Sequence, residues 1–162
     1  MMRRSLVLSI LATGLFIGIA TLIPNPATAQ ADKVKAAMAD LKARTEKLGV
    51  PKVEGKDLYF GTTKTDNSIV EAVAKDHGGV ATIFVKSSNE YVRVATTVKK
   101  EDGSSAVGTA LDATSPAVAK LNKGEAYYGD ATVFGKAYVA GYEPIKDDSG
   151  AILGAYFVGQ PK

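Results

Sequence analysis

The short connections between strand-like segments in the second half of the chain constrain the fold more than any other feature. Segments 80–86 and 91–98 are rich in β-branched and aromatic residues, and four polar residues separate them. Similar segments follow at 131–134, 136–144 and 151–158 and are joined by only a few residues. Parallel strands need crossover connections of a dozen or more residues. These connections therefore predict an antiparallel sheet of about five strands.

Helices are predicted before and between the strands. Residues 31–48 place apolar side chains at spacings of three and four, which predicts a long amphipathic helix. Shorter helices are predicted near residues 68–77 and 115–124, the second with a Ser-Pro start and a glycine end. The stretch 51–66 is interpreted as a connector. Helices placed mostly before an antiparallel sheet predict an α+β domain with the helices on one side.

The first 29 residues predict export. Two arginines precede an apolar, uncharged stretch from Leu6 to Ile23, and two prolines and the small-x-small sequence Ala27-Thr28-Ala29 follow it. This is the pattern of a signal peptide cleaved after Ala29. The alternative is an uncleaved membrane anchor, since the apolar run is close to the length that spans a bilayer. We expect a signal peptide over 1–29 and one domain over 30–162.

Charge and composition exclude several classes of function. Residues 1–29 hold two arginines and no acidic residue, so their removal lowers the net charge from +3 to +1. That charge does not indicate a nucleic-acid-binding surface. The chain has no cysteine and a single histidine, His77, so thiolate chemistry and a multi-histidine metal site are excluded. No combination of nucleophile, base and orienting group is visible. We predict no enzymatic activity, no cofactor and no metal.

Strand alternation assigns polar side chains to shared faces. In the second strand it groups Tyr91, Arg93, Ala95 and Thr97 against Val92, Val94, Thr96 and Val98. In the fourth strand it groups Lys136, Tyr138, Ala140 and Tyr142 against Ala137 and Val139. Each strand thus has one plain apolar face and one face that carries a cation and tyrosines.

Arg93 and Lys136 would converge if these two polar faces lie on the same side of the sheet. A guanidinium binds both oxygens of a carboxylate, an ammonium adds a point charge, and tyrosines add hydroxyls. The pattern therefore suits a small carboxylate. The alternative is a solvent-exposed sheet face, which often carries Lys, Arg and Tyr.

An ordered series of sequence blocks resembles a known family across nearly all of the chain after residue 29. The blocks are GGVATIFV at 78–85, YVRVAT at 91–96, GTALD at 108–112, GEAYYG at 124–129, FGKAY at 134–138, GYEPI at 141–145 and GAYFVG at 154–159. They resemble the single Cache sensor domains, in particular the Cache 3/Cache 2 fusion type. The resemblance implies a PAS-like antiparallel sheet, a long N-terminal helix and an extracytoplasmic ligand pocket.

The resemblance also implies a function and a set of ligand-binding residues. Many Cache domains are sensor parts of chemoreceptors, histidine kinases or cyclases, and several bind small organic acids. The matching basic, aromatic and polar positions are Arg93, Lys136, Tyr138, Tyr91, Thr96 and Tyr142. We therefore expect a sensor module for a small carboxylate, acting in signal transduction or chemosensing. The alternative is an accessory protein-interaction subunit that has the fold but no small-molecule ligand.

Three departures from the family pattern bear on these expectations. Thr97 stands where relatives have asparagine, and Ser105 stands where relatives often have arginine, so the ligand's identity does not carry over. The sequence ends at Lys162 without an output module. We therefore expect a freestanding periplasmic or secreted form. Its partner would be a separate membrane receptor, histidine kinase or cyclase, and the chain itself would be membrane-bound only if the N-terminal segment is retained.

Overall fold

The computed structural model describes residues 25–162 and contains three helices in that range. The helices are α1 (Pro26–Glu46), α2 (Asn67–His77) and α3 (Pro116–Leu121). The strands are β1 (Pro51–Glu54), β2 (Asp57–Phe60), β3 (Thr63–Lys64), β4 (Val80–Ser87), β5 (Glu90–Thr96), β6 (Tyr127–Val133), β7 (Lys136–Lys146) and β8 (Ile152–Pro161). Within the described range, no helix combines the length and apolarity needed to cross a bilayer. The predicted signal peptide lies largely outside the described residues.

Five strands form one antiparallel sheet in the order β5-β4-β8-β7-β6. This order, with a long N-terminal helix packed on the sheet, is PAS-like, and it confirms the predicted α+β class. A second, three-stranded sheet of β1, β2 and β3 occupies the stretch that was interpreted as a connector. Its strands are only two to four residues long, which is too short for a strand period to show in the sequence.

Helix α1 is five residues longer at its N-terminus than the apolar pattern predicts. Asn25 caps it, since its side-chain oxygen accepts a hydrogen bond from the Ala27 amide, and Pro26 occupies the first helical position. The helix buries Val34, Ala37, Met38, Leu41 and Thr45. This face packs on β7 and β8, where the Thr45 and Tyr156 hydroxyls meet at 2.7 Å. The cap thus extends the helix beyond its buried face.

The five-stranded sheet has a core on each face. The core beneath α1 and α2 includes Val34, Met38, Leu41, Val70, Val73, Ile83, Val85, Ala95 and Val158. The opposite core includes Phe84, Tyr91, Leu111, Leu121, Tyr138, Ala140, Tyr142 and Phe157. Alternation in β7 therefore places Tyr138, Ala140 and Tyr142 on one face, as predicted. The sheet thus separates Tyr91, Tyr138 and Tyr142 from α1 and α2, whereas α3 packs on their side.

A bulge in β5 overturns the face assignment predicted for that strand. Phe84 pairs with Arg93 and Ile83 pairs with Ala95, so Val94 is an extra residue in β5. The extra residue places Ala95 in the core beneath α1. Thr96 lies instead on the face of Arg93, where its hydroxyl is 2.6 Å from that of Thr82. The prediction that Ala95, and not Thr96, shares a face with Arg93 is wrong, because regular alternation cannot reveal an inserted residue.

An ion-pair network joins α1 to α2. Arg44 donates to Asp40 at 2.9 Å and to Asp76 at 2.6 Å, and His77 Nε2 lies 3.0 Å from the second Asp40 oxygen. The hydrogen bond from Arg44 holds the pKa of Asp40 below its usual value. Partial burial opposes this effect, and the contact with His77 adds to it. Ionised Asp40 therefore stabilises the folded state.

Acidification is expected to remove this contribution. A carboxyl whose pKa is lowered by folding stabilises above its unfolded pKa, here 3.8. The stability should therefore begin to fall as the pH approaches that value and continue to fall through the lower folded pKa. Asp40→Asn should lose stability at pH 7 and show a flatter decline toward acid than the wild type. Urea unfolding at a series of pH values tests this, and parallel curves for the two proteins would contradict it.

Candidate ligand-binding site

A cavity of about 410 Å³ opens on the face of the sheet opposite α1. Strands β5, β6 and β7 and the segment from 110 to the start of α3 surround it. Its lining includes Arg93, Leu111, Asp112, Asp130, Phe134 and Tyr142. Ser115 caps α3 and Pro116 begins it, which fixes this wall. A cavity of this size is within the range of small-molecule sites.

Arg93 is the basic residue that lines this cavity, and it is almost fully buried. Only 5% of it is exposed. Its Nη1 donates to the Thr109 hydroxyl and the Ala110 carbonyl, both at 2.9 Å. The guanidinium carbon lies 5.0 Å from the ring centre of Phe84 and 5.3 Å from that of Phe134. These contacts fix the orientation of the guanidinium at the cavity.

The charge of Arg93 is not balanced by a neighbouring carboxylate. Within residues 25–162 it forms no ion pair, and its buried Nε has no hydrogen-bond partner. Burial lowers the pKa of Arg93, but a guanidinium stays protonated in proteins. A buried charge without a partner is costly. An anion in the cavity would relieve that cost.

The two carboxylates that line the cavity have other partners. Asp112 accepts hydrogen bonds from the Thr114 amide at 2.8 Å and the Thr114 hydroxyl at 2.7 Å. Asp130 pairs with Lys162 at 2.7 Å. Both acids are thus engaged within the fold, and within residues 25–162 neither forms an ion pair with Arg93.

Tyr142 supplies a neutral hydroxyl to the cavity lining. It is 2% exposed, and its ring packs 4.8 Å from that of Phe157. Burial raises the pKa of Tyr142 far above its usual value, so the phenol is protonated at neutral pH. A protonated phenol beside a guanidinium can donate to the same anion. Of the sequence-predicted residues, Arg93 and Tyr142 come together here.

Tyr91 and Thr96 share the Arg93 face but take part in internal contacts. Tyr91 is 1% exposed, and its hydroxyl donates to the Asn122 side chain at 3.1 Å. The Thr96 oxygen accepts from the Val98 amide at 3.1 Å and contacts the Thr82 hydroxyl. Neither residue lines the cavity. Their contacts support the walls around Arg93.

Tyr138 and Lys136 lie before Tyr142 in β7, and neither lines the cavity. Tyr138 is buried and lines a separate space of about 200 Å³ beside β6. Lys136 is exposed at the start of β7 and does not line the Arg93 cavity. The expected convergence of Arg93 and Lys136 is therefore not seen at this cavity.

Two features of the site escaped the sequence analysis. The loop at 109–110 binds the guanidinium through backbone and hydroxyl oxygens, which leave no residue-type signature. Phe134 was assigned to a strand but lies in the two-residue turn between β6 and β7, with φ of 46°. The Phe134-Gly135 pair has positive φ at both positions, as a type I′ hairpin turn requires. The predicted strands 131–134 and 136–144 left only Gly135 between them, and so short a connection indicates a tight turn.

Comparison with known proteins assigns the chain to a family. The family model described as the Cache 3/Cache 2 fusion domain matches residues 24–162. The chain is a Cache domain. The match confirms the resemblance drawn from the sequence blocks, and it places the protein among extracytoplasmic sensor modules, which act in signal transduction.

A solved structure is also similar to this Cache domain. The crystal structure of the E. coli DcuS sensor domain has 16% sequence identity and a TM-score of 0.48. The similarity covers 82% of this chain and 89% of that chain. No curated protein matches the sequence.

The contacts of Thr96 give a test of its role in the Cache domain. Thr96→Val should leave the Val98 amide and the Thr82 hydroxyl without their partner. Burying unsatisfied groups of this kind costs about 1–3 kcal/mol, so we expect the free energy of unfolding to fall by about 2 kcal/mol. Chemical denaturation measures the change. Unchanged stability together with lost ligand binding would instead make Thr96 a ligand-binding residue.

Proposed function

We propose that this Cache domain binds a small carboxylate in the cavity at Arg93. The observation that carries the proposal is the buried guanidinium, which lines a cavity and has no ion pair within residues 25–162. A carboxylate would supply the missing charge and accept hydrogen bonds from the guanidinium. The Tyr142 hydroxyl is a second donor at the same cavity.

The surroundings of Arg93 favour a compact organic acid. Phe134 and Leu111 give the cavity apolar walls, so the ligand has an apolar part as well as a charged one. The aromatic rings and the hydroxyl of Thr109 hold the guanidinium in place before a ligand arrives. Such preorganisation lowers the entropic cost of binding. Ligand binding would change the contacts between Arg93 and the 109–112 segment. This segment is therefore the first element able to transmit ligand binding to the rest of the domain.

We further propose that the domain works as an exported module with a membrane receptor, histidine kinase or cyclase as its partner. Cleavage after Ala29 would remove the helix cap at Asn25 and leave Gln30, whose side chain donates to the Pro161 carbonyl at 2.8 Å, as the first residue. N-terminal sequencing of protein from the periplasm or medium tests this. A retained N-terminal segment would instead favour the membrane-anchored form.

A thermal denaturation screen tests the carboxylate proposal. The purified protein would be heated with two- to six-carbon mono- and dicarboxylates and with their amides as uncharged controls. A ligand at 100 times its Kd stabilises the folded state by about 2.7 kcal/mol. We expect at least one acid to raise Tm and its amide to have no effect. No shift with any acid, or equal shifts with the amides, would contradict the proposal and favour a protein-interaction role.

A further inference from the structure

We propose that a second cavity, on the α1 side of β5, binds a medium-chain fatty acid anion. This cavity has a volume of about 650 Å³, larger than that of the Arg93 cavity. Strands β2 and β3 of the small sheet form one wall, and strands β4 and β5 form its floor. The loop at Val107 and Gly108 closes one side. The cavity lies on the α1 side of the sheet, and Arg93 is the one residue that lines both cavities.

The floor of this second cavity is apolar. Leu58 and Val85 belong to the core beneath α1, and the half-buried Val92 and Val94 pack against that core. The bulge in β5 helps to create this floor, because the extra residue leaves Val94 and Ala95 on the same side. Val107 is 44% exposed at the edge of the cavity. An aliphatic chain would cover these valines and remove their surface from water.

One end of the cavity has polar groups that lack partners. Thr65 is only 6% exposed, and its hydroxyl has no hydrogen-bond partner within the described chain. A buried hydroxyl without a partner is unfavourable, so a native structure that has one calls for an explanation. A ligand oxygen at this position would accept the Thr65 hydrogen bond. The structure thus offers a place for one polar head group.

The charges around Thr65 favour an anionic head group. Lys56 and Lys64 line the same end of the cavity. Lys64 binds Asp57 at 2.7 Å, whereas Lys56 forms no ion pair with residues 25–162. Glu90 also lines the cavity, but it belongs to β5, not to the small sheet that carries Thr65 and the lysines. We therefore place the carboxylate beside Thr65 and Lys56, with the chain along the valines.

Chain length gives the first test. The free energy of transfer from water grows with each buried CH₂, so affinity should rise by about fourfold per methylene from butanoate through hexanoate to octanoate. Octanol, which lacks the charge, should bind more weakly than octanoate. Methyl NMR of valine-labelled protein would report both the affinity and the position. We expect the signals of Val92, Val94 and Val107 to shift most.

Variants of exposed and cavity-lining residues give the second test. Val107→Asp places a charge at the cavity edge and should weaken octanoate binding at least tenfold, whereas the matched Val107→Leu should change it less than twofold. Because Val107 is partly exposed, neither variant should unfold the protein.

Thr65→Val removes the unpartnered hydroxyl, so the free protein should melt at a higher temperature while octanoate binds several-fold more weakly.

Several results would overturn the inference. Affinity that does not depend on chain length, or octanol binding as tight as octanoate binding, would exclude a fatty acid anion. Octanoate binding that is unchanged by both Val107→Asp and Thr65→Val would exclude this cavity. NMR shifts confined to residues around Tyr142 would assign octanoate to the Arg93 cavity instead. A failure of the short-acid screen would not affect these measurements, because Val92, Val94 and Val107 line this cavity and not the Arg93 cavity.

Discussion

Arg93→Ala is expected to abolish the stabilisation of the protein by short carboxylates. Truncating one partner of a buried, hydrogen-bonded charge pair costs about 2–5 kcal/mol, which corresponds to a loss of affinity of at least about 30-fold. The ligand would lose the charge that balances it and the hydrogen bonds that orient it. Calorimetric titration with the best acid from the thermal screen measures the change.

Two further substitutions separate charge from geometry at this site. Arg93→Lys keeps the positive charge but not the planar fork, so we expect intermediate affinity. Lys136 lies in the same strand as Tyr142 but does not line the cavity. Lys136→Ala should therefore leave the affinity within twofold of the wild type. If Lys136→Ala abolishes binding while folded Arg93→Ala retains it, the carboxylate binds near Lys136 and the Arg93 assignment is wrong.

Gly154→Ala is expected to destabilise the fold by about 3 kcal/mol or more. Gly154 lies in β8 and pairs with Val85 on one side and with Ile145 on the other. A Cβ atom at this position would overlap the carbonyl oxygen of Phe84. Since β8 is hydrogen-bonded on both edges, the strand cannot move away without breaking one of its ladders. Urea unfolding would measure the loss.

Gly150→Ala is the comparison variant, because it introduces a backbone cost without an overlap. Gly150 lies in the turn before β8, and a Cβ atom there meets no other group. Its φ of 84° is unfavourable for alanine, so we expect a cost of about 1–2 kcal/mol from the backbone alone. Gly154 does not have a positive φ, so its loss should come from the overlap with Phe84 and not from backbone strain. A loss for Gly154→Ala no larger than that for Gly150→Ala would contradict a severe overlap.

The fold was largely predictable because its main signals are local. The apolar period of α1, the Ser115-Pro116 helix start and the short connections between strands each follow from neighbouring residues. The three-stranded sheet was missed because β3 has only two residues and shows no period. The extension of α1 to Pro26 depends on a cap, which adds no apolar residue to the pattern.

The candidate site was less predictable because it depends on non-local geometry. Alternation correctly grouped Tyr142 with Tyr138 and Ala140 on one face, but the bulge at Val94 reversed the sides expected for Ala95 and Thr96. Lys136 has the right parity but is exposed at the start of β7 and does not line the cavity, although its cross-strand partner Val133 does. The alternation of side chains along a strand predicts on which side of the sheet a residue lies, but it does not predict which residues line a cavity on that side. The partners of Arg93 at 109–110 come from a loop whose path no sequence period describes.

The central place of β8 has a consequence for the order in which the protein can be assembled. The β4–β5 and β6–β7 hairpins do not pair with each other directly, and both wait for residues 152–161 to join them. A chain that leaves the ribosome or a membrane channel from its N-terminus therefore holds two separate hairpins until its final segment emerges. The five-stranded sheet can therefore close only once residues 152–161 are available, and removal of this last strand should leave the two hairpins unjoined.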